Sequence, residues 1–332
     1  MKKLIKLLFG LLVLVFVLIV AAAIILPMVI NPNDYKPQII EAVKQQTGRD
    51  LAIEGDIGLS VFPKVGLNLG RTSLSNAEGF EGQSFASMDA VNIQVALMPL
   101  LEKKVEMDEI VLQGLSLSLQ RNKDGRTNWD DLAKPPAAGK ADKKPEEQKA
   151  SEQAQLESIV IGGIRIEDAN ILWQDDQQGQ RYEIRSFNLV SGPLTQGDPV
   201  DIELNTAFVS GKPKVDGTLV LTAVIKADVE QAIYTLTDVN FTLEAAGETL
   251  PAEQLKVMLT ANPIVVKLNQ QAIDITGMDL SVDAKGKDLP GGAIKLTLTA
   301  NPVAVDLKQQ TLLVDALNLD TLGVNIKGAI KG

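Results

Sequence analysis

Histidine and cysteine are both absent from the 332 residues, which removes most of the chemistry a chain of this size could carry. Without them there is no Ser-His-Asp or Cys-His nucleophile, no His-based metal site and no general base titrating near neutral pH. Paired carboxylates remain as acid–base candidates. With 42 acidic residues chance pairs are unavoidable, and no Asp/Glu pair stands in a recognisable catalytic motif. Asn122-Lys123-Asp124-Gly125 resembles the middle of a calcium loop, with Asp131 where the last ligand would stand. The first ligand position is the neutral Gln120 and the flanks read as strand, so a hairpin turn at Asp124-Gly125 is expected instead. Trp129 is a candidate stacking surface for a ligand, although an amphipathic ring plugging a sheet end is its default role. No cofactor, no metal and no enzymatic activity are expected.

The formal net charge of −10 and pI near 4.8 argue against a nucleic-acid partner, which would need a basic face. Aromatic residues make up 4%, too few for base-stacking platforms or a sugar cleft. Leu7 to Ile30 has no charge and no hydrogen-bonding side chain, and it follows Lys2, Lys3 and Lys6. About 20 residues of helix cross a bilayer core, so this run is long enough to span. A signal peptide shares the basic start, and Ala21-Ala22-Ala23 imitates a cleavage site. The apolar run continues through Ile24 to Ile30, which favours an uncleaved single-span anchor. The lysines place the N-terminus in the cytoplasm and the bulk of the chain across the membrane. Disulfides are permitted there, yet no cysteine staples the exported part, so its stability must come from buried apolar surface.

Behind the anchor (1–30), Tyr35, Ile39, Ile40 and Val43 form one helical stripe, with Pro37 in the first turn and Gly48 as a stop. That helix either lies on the membrane surface or caps the first sheet edge. Beyond it the period becomes two: Ile57, Leu59, Val61; Val65, Leu67, Leu69; Val91, Ile93, Val95, Leu97; Leu115, Leu117, Leu119. One apolar and one polar face mark antiparallel strands covered on one side. Residues 134–157 hold five Lys, four Glu, three Pro and one large aliphatic, Leu156. That composition reads as a linker or surface loop, with a charged helical arm as the alternative. It separates an N-terminal helix and β region (31–133) from a C-terminal β region (158–332).

The C-terminal region repeats. Leu259-Thr260-Ala261-Asn262-Pro263 and its sequel through Gln271 return as Leu298-Thr299-Ala300-Asn301-Pro302 through Gln310, displaced by 39, with a weaker copy led by Leu221-Thr222-Ala223. Such a period signals stacked units, here read as three strands each. A growing sheet with one apolar face and no helical layer must curl into a barrel, pair with a second sheet, or leave a groove filled by something other than protein. The rows Ile264, Val266, Leu268 and Val303, Val305, Leu307 are the candidate groove residues. Their parity is open, because a slip of one residue turns every side chain to the other face.

The chain resembles the AsmA-like envelope proteins of Gram-negative bacteria, which are related to the TamB-type bridge-like lipid transfer proteins. The resemblance runs through Asn31-Pro32-Asn33-Asp34-Tyr35, Thr47-Gly48-Arg49-Asp50-Leu51-Ala52-Ile53-Glu54-Gly55-Asp56-Ile57 and Phe62-Pro63. It continues in Asn76-Ala77-Glu78-Gly79-Phe80, Met98-Pro99-Leu100-Leu101 and Gly125-Arg126-Thr127-Asn128-Trp129-Asp130-Asp131-Leu132. It implies a mainly β fold, with a long twisted U-shaped antiparallel sheet standing in the periplasm on the inner membrane. It also implies a role in outer-membrane biogenesis, with phospholipid handled along a hydrophobic groove. A non-enzymatic scaffold for outer-membrane proteins, with other envelope proteins as partners, is the alternative. Many family members run on for hundreds of residues, so this chain is a short member or a partial sequence. Some 18–20 strands about 4.8 Å apart would extend roughly 90 Å, too short to bridge two membranes and suited to part of a conduit or a local lipid chaperone.

Overall fold

A computed structural model of the chain describes residues 31–332, apart from 61–63, 81, 83, 97–98, 100–103, 133–157, 196, 213, 248–249 and 251. The apolar run Leu7–Ile30 and the segment 134–157 lie outside the described residues. No helix among those described is long and apolar enough to cross a membrane.

A 3-10 turn, Pro32–Tyr35, leads into helix α1, Lys36–Thr47. Gly48 ends the helix at φ +73°, and its N–H donates to the Lys44 carbonyl at 2.8 Å. The left-handed conformation suits glycine because it has no Cβ to clash. The structure divides the expected apolar stripe in two. Ile40 and Val43 are half-buried, whereas Tyr35 and Ile39 stay 54% and 41% exposed.

Eight short strands follow: β1 (Leu51–Ile53), β2 (Gly58–Ser60), β3 (Lys64–Leu69), β4 (Thr72–Ser75), β5 (Ser84–Met88), β6 (Ala90–Ala96), β7 (Lys104–Gln113) and β8 (Ser116–Arg121). The strands beyond residue 157 are mostly longer: β9 (Ser158–Asp175), β10 (Gln180–Ser191), β11 (Val200–Gly211), β12 (Lys214–Asp228), β13 (Ile233–Ala246) and β14 (Gln254–Ala261). They continue as β15 (Ile264–Lys267), β16 (Ala272–Ile275), β17 (Met278–Lys285), β18 (Ala293–Asp306), β19 (Thr311–Thr321) and β20 (Val324–Lys331). All of them belong to one sheet.

Strand β9 is the junction. One end of it runs parallel to β7 and the other parallel to β8, while its opposite edge takes β10 antiparallel. The expected purely antiparallel sheet is therefore broken at this point, where the chain crosses from the N-terminal to the C-terminal region. Two branches leave the junction side by side, β7–β6–β3–β2 and β8–β5–β4–β1, and α1 packs against β1. On the other side the sheet is a meander. Strands β14 and β15 share the edge of β13, and β17 and β16 share the edge of β18, so each pair is one long rung interrupted by a kink.

Two expectations are corrected by this pairing. Each repeat is a hairpin of two long rungs, not three strands. The branches and split rungs also shorten the sheet, whose longest path, β2–β3–β6–β7–β9 and on to β20, has fourteen strands. Thirteen spacings of about 4.8 Å give roughly 60 Å instead of roughly 90 Å.

The kinks are β-bulges. In β9, β10 and β13 the bulged residue is Asp168, Ser186 or Asp238, each with φ near +50°. Two residues on, an asparagine amide donates to the carbonyl the bulge leaves unpaired: Asn170 to Asp168 at 3.0 Å, Asn188 to Ser186 at 2.8 Å and Asn240 to Asp238 at 2.9 Å. In the later rungs the interruption falls at Asn262-Pro263, Thr276-Gly277 and Asn301-Pro302, and proline, with no N–H to pair, is tolerated at a bulge. The rung-ending turns are periodic too. Ala232, Gln271 and Gln310, thirty-nine residues apart, all have positive φ.

The motif residues of the N-terminal region converge on a polar hub. Asn128 is fully buried; its amide donates to Asn76 Oδ1 and the Ser118 carbonyl at 2.9 and 2.8 Å, and its Oδ1 accepts from the Gln120 N–H at 2.9 Å. Arg49, 3% exposed, lies over the Phe85 ring and grips Asp131 through two bonds of 2.8 and 2.5 Å. Asp131 is thus an ion-pair partner, not the last ligand of a calcium loop, and Asn122–Gly125 form a turn closed by the Gly125 N–H on the Asn122 carbonyl. Trp129 packs on Trp173 at 5.4 Å, and Arg121 pairs with the buried Asp175.

The hydrogen bonds from Arg49 hold the Asp131 carboxyl below its ordinary pKa. A depressed folded pKa means the pair stabilises fully above the unfolded carboxylate value of about 3.9 and is lost as pH falls toward the folded value. Asp131→Asn should cost about 2–3 kcal/mol, less than a fully enclosed pair because Asp131 keeps 39% of its side chain in solvent. Urea unfolding at pH 7 and pH 3 checks this. The difference between wild type and variant should shrink at the lower pH.

Candidate functional site

One cross-strand row runs nearly the full length of the sheet. Leu69, Val91, Leu112, Ile166 and Leu189 pair in succession from β3 to β10. Leu204, Leu221, Phe241, Leu259, Leu280, Leu298, Leu319 and Ile326 continue it from β11 to β20. Directly paired residues project to the same side of a sheet, so all thirteen share a face. From β10 to β20 the register puts no charged side chain on that face. Strand β18 shows the pattern: Ile294, Leu296, Leu298, Ala300, Val303 and Val305 face one way, and Lys295, Thr297, Thr299, Ala304 and Asp306 the other.

The bulges make this possible. Alternation would carry apolar positions to the wrong side wherever even numbering gives way to odd, as between Ala300 and Val303. The extra residue at Asn301-Pro302 restores them, and Asp238 does the same between Leu236 and Val239. Two small clusters sit along this line, Ala223–Val239–Ala261 and Ala300–Val303–Val314.

Among the described residues no second layer closes over the face. Twelve of the thirteen residues in the long row are half-buried and Ile326 is 50% exposed. Among the described residues the buried apolar ones include six alanines but no leucine, and the large side chain with under 2% exposure is Asn128. A closed sandwich of this size would bury its leucines first.

The reverse face is polar. Glu244, Lys256, Asp283 and Lys295 oppose one another across four strands, with Lys256 on Glu244 at 2.8 Å. Glu244 raises the Lys256 pKa through that bond, and Arg181 and Arg185 lower that of Glu183 in the same way. A cleft of about 650 Å³ lies along this charged ladder. A second cleft, of about 530 Å³, lies where Leu194 meets Val200, Ile202, Ile225 and Ala227 at one margin of the apolar face. The Leu194 N–H holds that connection to the Ile161 carbonyl at 2.7 Å. Among the described residues no group of three His, Cys, Asp or Glu could hold a metal ion.

Of the residues singled out from the sequence, Ile264, Val266, Val303 and Val305 come together. Ile264 pairs with Ile275 and Ile275 with Val303; Val266 pairs with Ile273 and Ile273 with Val305. Lys267 and Asp306 point to the other side, where Lys267 binds Asp274 at 2.6 Å. Leu268 and Leu307 do not join the rows: Leu268 lies in a 3-10 turn, Leu307 follows the last residue of β18, and they are 56% and 60% exposed. The long leucine row was missed. The spacing that marks it is the Asp-Ala-Asn, Ser-Phe-Asn and Asp-Val-Asn triplets at Asp168, Ser186 and Asp238, which announce where each alternation changes parity.

An extended sheet, single-layered among the described residues, with no charge on one face from β10 to β20 and a charged reverse face, defines the class of protein. The AsmA family model matches residues 1–327, and the chain belongs to that family. Protein AsmA of Escherichia coli (strain K12) is 30% identical over 108 residues, a stretch that covers 32% of this chain and 17% of the relative. No solved structure matches the chain.

The shared face is testable because the chain has no native cysteine. Leu280→Cys combined with Leu298→Cys should form a disulfide under mild oxidation, since directly opposed Cβ atoms lie about 4.5–5.5 Å apart. Leu280→Cys with Thr299→Cys, on opposite faces, should not. A gel-shift or mass measurement reads both.

Proposed function

We propose that the charge-free face is a phospholipid-binding groove in an envelope protein held to the inner membrane by Leu7–Ile30, with residues 31–332 in the periplasm. The observation that carries this reading is the combination of a continuous apolar row with half-buried leucines. Exposed apolar surface on this scale needs a partner, at about 25 cal/mol for each Å² removed from water. An acyl chain supplies apolar surface without competing for the backbone, whose groups are already paired in the ladder. The face has no fixed donor or acceptor to grip a headgroup, so a chain lying on it can shift from rung to rung without breaking a hydrogen bond. The headgroup would stay in water at the margins, beside residues such as Lys226, Asp228 and Lys331. At roughly 60 Å the sheet is shorter than an envelope-wide bridge, which favours local handling or one section of a longer conduit. No single residue is assigned a catalytic role.

A charge placed in an open groove costs less than one sealed in a core, because water and headgroups still reach it. Val266→Asp and Val305→Asp should therefore remain folded, destabilised by about 1–3 kcal/mol, and lose the phospholipid that co-purifies with wild type. Photo-crosslinkers at Val266 and Val305 should capture phospholipid in cells, and those at Lys267 and Asp306 should not. Unfolding of both aspartate variants, with no capture at any position, would mean a closed core and would favour the scaffold reading.

A further inference from the structure

We infer that the flank of α1 formed by Ile39 and Ala42, with Tyr35 just before it, lies in the interface of a phospholipid bilayer while the adjacent half-buried side of the helix holds the sheet. Three faces can be separated on this helix. Lys36, Ile40, Val43 and Thr47 are its half-buried positions, and the Lys36 ammonium bonds to the Gly55 carbonyl beyond β1. Gln38, Glu41 and Gln45 are exposed and polar, with the Gln45 amide donating to Glu41 at 2.8 Å. Tyr35, Ile39 and Ala42 are exposed too, yet apolar, and at about 100° per residue they fall within about 60° of arc, which Gln46 enters only in the last turn.

The chain itself names the occupant. Leu7–Ile30 contains no charged or hydrogen-bonding side chain and stops one residue before Asn31. Tyr35 is the fifth residue after Ile30, and four of those five form the 3-10 turn Pro32–Tyr35. At about 2 Å of rise per residue Tyr35 lies within roughly 10 Å of the end of that run. The depth to which interfacial helices bury their apolar side is about 5–10 Å, and tyrosine is enriched at that level because its ring is apolar and its hydroxyl wet. The same helix therefore meets two requirements. Its inner side packs on β1, and its flank sets that strand at the membrane surface. This inference rests on the proposed anchoring by Leu7–Ile30 and not on what the apolar face of the sheet binds.

The absence of cysteine from the 332 residues allows single labels on the chain. Ile39→Cys and Glu41→Cys, each carrying an environment-sensitive fluorophore, are reconstituted into vesicles of phosphatidylethanolamine and phosphatidylglycerol containing brominated acyl chains. The probe at 39 should be quenched by brominated lipid several-fold more than the probe at 41. Aqueous iodide should show the reverse order. Ala42→Cys, on the same stripe, should repeat the result at 39 and covers the case in which Ile39→Cys disturbs the helix. Equal lipid quenching at the two faces would overturn the inference. Shielding of position 39 from both quenchers would mean a protein cover and would also overturn it, as would failure of the chain to remain with the vesicles.

Discussion

From β10 onward this single-layer sheet keeps its charges on one side along rungs as long as the fifteen residues of β12, with no second layer among the described residues to hide an error. Strand geometry works against this. Side chains alternate strictly, so one extra residue anywhere inverts the remainder of the strand. The bulges through β9, β10, β13 and the Asn-Pro rungs put the inversion at a chosen level and let the sequence change parity there. Bulges also increase local twist. Each one costs a ladder position, and the asparagine amides at Asn170, Asn188 and Asn240 offset that loss by bonding the freed carbonyls.

The two sheet ends are managed differently. Exposed edges invite pairing with other chains. Near the N-terminus the sheet divides at β9 into two branches of short strands, with α1 against β1. The hub around Asn128 and Arg49 ties the motif segment Thr47–Ile57 to the last one, Gly125–Leu132, across 79 residues of sequence. Those segments identify the family, and the structure gives them a mechanical reason to be specific. A buried guanidinium needs a carboxylate within reach, and a buried asparagine needs its partners at set positions. The meander beyond β9 carries no such hub, and its pattern repeats without unique residues.

Among the described residues no layer covers the apolar face, which separates this sheet from sandwiches and barrels, where the same alternation is satisfied by closing. Half-buried leucines leave a surface that is structurally complete through its backbone ladder but not saturated in apolar contact. The smallest apolar residues, such as Ala223, Ala261 and Ala300, are the ones that become fully buried, because neighbouring side chains on the same face fold over them. Polar partners fill the reverse face at hydrogen-bonding distance, so the two sides differ in what further binding would contribute.

Much of this was legible in the residues alone. Period-two alternation determined the β class, Gly48 determined the end of α1, the 39-residue displacement determined that rungs recur, and Val266 and Val305 could be set against Lys267 and Asp306 on opposite sides. The missing histidines and cysteines determined which chemistry to exclude. Only the tertiary structure decided that β7 and β8 meet β9 in parallel, that apparent pairs of strands are single kinked rungs, and that Leu268 and Leu307 lie in turns. It alone decided that Asp131 belongs to Arg49, 82 residues away. The reason is the range of the interactions. Alternation and turn chemistry act over a few neighbouring residues and can be read locally, whereas pairing partners, the sharing of an edge and an ion pair between distant segments depend on where the whole backbone runs.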